Sequence, residues 1–138
     1  MAKRRYADWT SEDFENEVAT HFPSLVAPHQ ELLGALGRVT QVRIGWEGRG
    51  ATHATYHVHV PEMDEHILRV RASGGIQALW MKLAEQEQPL RAALYRERLG
   101  NWIIEDAGGC PWLSKKLDEI DINALVAIIT EVARHPAH

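Results

Sequence analysis

The stretch GWEGRGATHATYHVHV, residues 45–60, decides how the chain folds. Gly45, Gly48 and Gly50 fall within its first six positions, and strict alternation follows. Ala54, Tyr56, Val58 and Val60 take one side, and Thr55, His57 and His59 take the other. A period of two sends successive side chains to opposite faces, so the second half is a strand with an apolar and a polar face. The glycines before it have two explanations. They form a bulged hairpin tip, or they keep the backbone bare so that N–H groups can approach a phosphate.

The same pattern extends in both directions. VTQVRIG (39–45) places Thr40, Val42 and Ile44 on one face, and HILRVRA (66–72) follows the polar turn PEMDE (61–65). Three strands with short connections predict an antiparallel meander.

Helical sequence flanks the meander. Thr10 or Ser11 is a cap, Glu12 and Asp13 favour the positive helix end, and Phe14, Val18 and Phe22 recur every four residues before Pro23. A second short helix is expected over 28–36, with Leu32, Leu33 and Leu36 inward and Gly37 as its stop. After Gly74-Gly75, the segment 76–88 carries Ile76, Leu79, Trp80 and Leu83 at helical spacing up to Pro89. LRAALYRERLG (90–100) and NWIIEDAGG (101–109) are expected as two further strands about Gly100-Asn101, although the first is also good helix sequence. Asp121 caps the last helix, 122–134, whose buried face is Ile122, Leu125, Val126, Ile129 and Val132. The expected fold is α+β: an antiparallel sheet of about five strands with helices packed on it. Nothing in the composition divides the chain, so 1–138 is expected as one domain, a helical segment 1–37 followed by an α+β unit 38–138.

A chain of 138 residues, 45% hydrophobic, is long enough for a real core. Its formal charge of -4 argues against a nucleic-acid partner, and Lys3-Arg4-Arg5 is the only basic cluster. A single cysteine, Cys110, excludes an intrachain disulfide and a cysteine zinc site, and no charged neighbour activates it. The apolar run ALVAII falls far short of the roughly 20 residues of a membrane helix. The N-terminus has no apolar segment behind its positive charges. A cytoplasmic protein with no membrane association is expected.

Three pieces together resemble a known family. GRGATHATYHV (48–58), HILRV (66–70) and WIIEDAGG (102–109), in that order, are similar to the small lobe of the aminoglycoside phosphotransferase and protein-kinase-like superfamily. The similarity spans roughly 39–135. It implies that Gly48 and Gly50 cover nucleotide phosphates, with His53 where a protein kinase has a third glycine. It implies that Arg69 takes the place of the phosphate-pairing lysine, with Glu85 or Glu87 as the ion-pair partner. Trp102 to Ile104 would be the last strand, and Glu105, Asp106 and Ala107 the hinge, with Glu105 and Ala107 meeting the base. The implied ligand is ATP or another nucleotide with Mg.

The aspartates and asparagine that such enzymes carry on a large lobe have no counterpart here, so the chain alone is not expected to transfer phosphate. The resemblance therefore implies a protein partner or a missing catalytic lobe. Two alternatives stay open. The same fold can serve as a protein-binding or inhibitory surface without nucleotide. His57 and His59, one residue apart on a strand and followed by Glu62, Asp64 and His66, are a weak candidate metal pair. Trp46 and Trp112 are the tryptophans that periodicity places least firmly in a core, and exposed aromatics favour interfaces.

Overall fold

Residues 10–49, 53–62, 64–85, 87–104 and 111–135 are described in the computed structural model. Thr10 opens helix α1 (Ser11–His21) with a reciprocal cap. Asp13 N donates to Thr10 Oγ1 at 3.2 Å, and Thr10 N donates to Asp13 Oδ2 at 3.0 Å, satisfying two N–H groups that a helix start otherwise leaves bare. Phe14 and Val18 face inward. A single 3-10 turn, Pro23–Leu25, leads into α2 (Val26–Leu36), two residues earlier than expected, with His29, Leu32 and Leu36 buried.

The sheet is antiparallel, in the order β1 (Arg43–Arg49), β2 (His53–Val60), β3 (Glu65–Arg71), β4 (Ile76–Ala78). Helices α3 (Trp80–Glu85), α4 (Pro89–Leu99) and α5 (Ile122–Arg134) follow. The architecture is α+β, with a four-stranded sheet and five α-helices among the described residues. None of these helices is long and apolar enough to cross a membrane.

Several expectations need correction. Val39 and Val42 are buried, but they precede β1 in a turn closed by Val39 N to Leu36 O at 3.0 Å. Residues 76–78 do not open a helix. Gly74, at φ 93, turns the chain, Arg71 N donates to Gly75 O, and Ile76 pairs with Val70 in β4. That left-handed φ suits a residue without a side chain.

Residues 90–99 are not a strand either. Pro89 occupies the first turn of α4, and Arg91, Tyr95 and Leu99 are buried at four-residue spacing. Helix propensity and a 3.6-residue period win there over the local strand pattern. The expected last strand, 102–104, is reduced to one bridge, Ile103 to Leu113. Between it and β4 lies segment 111–113, joined by Ala78 N to Pro111 O at 2.9 Å and Leu113 N to Ile76 O at 2.8 Å. Among the described residues, the sheet therefore continues beyond β4 only as two isolated rungs, Gln77 to Trp112 and Ile103 to Leu113.

Tyr56 and Val58 of β2, and Leu68 and Val70 of β3, are fully buried against the helices. Phe14 meets Tyr56 edge-on at 5.2 Å and His29 edge-on at 4.9 Å. The Tyr95 hydroxyl donates to Ile67 O at 2.8 Å, which fastens α4 to β3. Helix α5 adds Leu125, Ile129 and Val132 to the same cluster that holds Phe14 and Leu32. Full burial of a side chain of this size contributes about 1.5–3 kcal/mol. Trp46, half-buried, packs against this cluster as well, its ring 5.5 Å from Phe14 and 5.7 Å from Tyr56.

Candidate functional site

With Tyr56 and Val58 turned to the helices, alternation sends Thr55, His57 and His59 to the other face of β2. On that face one row crosses all four strands: Gly45, His57, Arg69 and Gln77 are successive register partners. Arg43, His59 and His66 form the next row, and Thr55 pairs with Arg71 on the other side.

His66 reaches this face because the ladder slips. Val58 pairs with Leu68 and His59 with His66, so Ile67 is an extra residue in β3. Simple alternation from Arg69 would put Ile67 among the polar groups and His66 in the core. The bulge exchanges them, and Ile67 is fully buried.

The result is a compact set of nitrogen-bearing side chains. The rings of His57 and His66 stack, with centroids 3.6 Å apart and planes 15° apart. His59 stands perpendicular to His66 at 5.3 Å, and its Nε2 lies 3.3 Å from Asp64 Oδ1. Arg69 Nη1 donates to Gln77 Oε1 at 3.2 Å. The Arg71 guanidinium covers the Trp112 ring at 4.4 Å, and that ring rests beside Gly75. The pKa of His57 is lowered to about 4, first by burial and then by the positive charges of His66, Arg69 and His59. His57 is thus a neutral imidazole at pH 7, held among groups that carry or acquire positive charge.

Gly48 lies in β1 opposite Ala54. It is three residues along the strand from Gly45, or roughly 10 Å, and two strands across from Arg69. Gly50, Glu105 and Ala107 lie outside the described residues, as do Asp106 and Cys110. Glu85 and Glu87 do not meet Arg69. Glu85 is exposed on α3, 3.4 Å from Lys82, and Glu87 sits exposed in the following turn at φ 59. Because β4 intervenes before α3, and α3 buries Trp80 and Leu83 in the core, Gln77 rather than either glutamate accompanies Arg69.

His57 and His59 share a face as alternation requires, but their rings pack on His66 instead of converging on a point. Among the described residues no group of three or more His, Cys, Asp or Glu side chains is arranged to hold a metal ion. Gln77 escapes a reading of sequence, because 76–78 has helical spacing.

No protein-family model, curated protein or solved structure matches the chain.

Proposed function

We propose that this chain is a binding module rather than a self-sufficient catalyst, and that the polar sheet face takes a phosphate-bearing small molecule, a nucleotide with or without Mg. One observation carries this reading. A chain of formal charge -4 gathers Arg43, Arg69, Arg71, His57, His59 and His66 on one face of its sheet. Guanidinium groups bind phosphate oxygens through paired, charge-assisted hydrogen bonds, which contribute about 1.5–3 kcal/mol each. A neutral His57 adds a hydrogen-bonding group without a desolvated charge. The similarity of 48–58, 66–70 and 102–109 to a kinase-like small lobe supports the same ligand class. A catalytic lobe or protein partner would supply any chemistry, in the cytoplasm.

A face that encloses its ligand on one side binds weakly, so millimolar affinity is expected. Titration with ATP, inorganic triphosphate and adenosine, followed by calorimetry at low salt, tests the reading. ATP and triphosphate should bind and adenosine should not. Arg69→Gln and Arg71→Gln should each raise the Kd about tenfold, equivalent to about 1.4 kcal/mol. Absence of binding at 10-fold the expected concentration, or affinity unchanged in both variants, overturns it.

A further inference from the structure

The polar sheet face stacks two imidazoles ring on ring. His57 and His66 lie with centroids 3.6 Å apart and planes 15° apart, and His59 stands across His66 at 5.3 Å. Among the described side chains, the charges around this pair are mostly positive. Arg69 of β3 is the register partner of His57, and Arg43 of β1 is that of His59. Arg71 lies further along β3, against Trp112. β4 contributes only the neutral Gln77. Two carboxylates stand at the margin. Asp64, with a side chain 96% exposed, is 3.3 Å from His59 Nε2, and Glu65 Oε1 accepts the backbone N–H of His66 at 2.9 Å. Two imidazolium rings stacked this closely beside a guanidinium repel one another, so the empty face disfavours charging both. After burial, repulsion from His66, Arg69 and His59 is what holds His57 neutral.

We propose that anion binding at this face is proton-linked through the stacked His57–His66 pair: a docking phosphate group draws protons from solvent onto the rings, so the face takes up its ligand in mildly acidic solution and releases it as pH rises. This linkage rests on the phosphate reading above, since it needs an anion on the face. The anion supplies the negative charge that the two marginal carboxylates do not, and an opposite charge nearby favours the protonated ring. Coupling between two binding events is reciprocal: if the anion raises proton affinity, protons raise anion affinity by the same factor. Imidazole is the ordinary side chain that changes charge between pH 5 and 8, which sets the range of the effect.

The test follows the ring signals of the intact chain by NMR at constant ionic strength. With inorganic triphosphate in excess, the titration midpoint of His57 should move up by about one pH unit, equivalent to tenfold tighter binding to the protonated ring. Sulfate keeps both its charges from pH 7.5 to 5.0, so its own titration does not enter. Its Kd, read from amide shifts of β2 and β3, should fall about fivefold over that range in the native chain and about twofold in the double variant His57→Asn, His66→Gln. Saturable triphosphate binding with an unmoved His57 midpoint overturns the linkage and leaves the phosphate reading standing. Absence of any saturable triphosphate shift removes both. A sulfate affinity that is absent or constant with pH, or a double variant as pH-dependent as the native chain, also overturns the linkage.

Discussion

His57 lies across Gly45, its register partner on β1, so closely that a Cβ built on Gly45 would sit 2.0 Å from Nε2. The ring cannot simply swing away, because His66 is stacked at 3.6 Å and Arg69 is its partner on the adjoining strand. Gly45→Ala should therefore destabilise the fold by about 1–3 kcal/mol, the usual cost of overpacking. His57→Ala in the same chain should recover most of that loss, because the methyl then meets empty space. Urea denaturation of the two single variants and the double variant measures the coupling. Additive losses would show that the contact between 45 and 57 carries no strain.

His57 also makes stability depend on pH. Unfolded, it binds a proton below about 6.5, and folded it does so only near pH 4. Between those values the unfolded chain holds more protons, so stability rises with pH. The contribution is complete above about 6.5 and is lost progressively as pH falls to about 4. A displacement of that size has a ceiling of about 3 kcal/mol, and solvent screening at a half-buried ring reduces it to about 1–2 kcal/mol. His29, lowered by burial, acts with the same sign. Urea midpoints from pH 8 to pH 4 should fall in the native chain and fall less in His57→Asn. In His66→Gln the His57 NMR titration should move up toward 6.5, since the charge of His66 is the second cause of its depression. A native His57 midpoint near 6.5 would refute both expectations.

The meander was legible because a half-buried strand writes its period into the chain, as residues 54–60 do. The ends of α1 and α5 were legible because Thr10 and Asp121 are capping residues, and both accept the backbone N–H bonds expected of them. What stayed hidden depends on long-range pairing. Ile76, Leu79, Trp80 and Leu83 satisfy a helical spacing, yet the first of them sits in β4, because Val70 across the turn offers a ladder partner. The bulge at Ile67 leaves no trace in the order of residues, and it alone brings His66 beside His57. In 90–99 two local preferences competed. The core settled them by burying Arg91, Tyr95 and Leu99 on one helical stripe.

The candidate site was half legible for the same reason. Alternation assigns His57, His59, Arg69 and Arg71 to polar faces, and it needs no coordinates to do so. Which polar face meets which depends on register, and Gln77 entered the row only because Arg69 pairs with it. The resemblance placed a glutamate beside Arg69, but β4 separates that arginine from the first turn of α3.

A last prediction concerns the base of the glycine hairpin. Ala54 N, fully buried at the start of β2, donates to Glu17 Oε2 of α1 at 2.7 Å. Its own carbonyl accepts from Ala72 N at 3.1 Å, just where β3 has ended and can offer no further rung. A side chain thus replaces a missing strand. Glu17→Ala leaves that buried N–H without an acceptor and should cost about 1–3 kcal/mol. Glu17→Gln keeps a carbonyl oxygen in place and should cost less, because only the charge assistance is lost. Amide exchange separates local from global effects: Ala54 should lose protection in Glu17→Ala, while Val58 and Leu68, deep in the ladder, should follow only the change in overall stability. If the melting temperature and Ala54 protection both stay at native values in Glu17→Ala, the carboxylate is an onlooker and α1 is held by the packing of Phe14 and Val18.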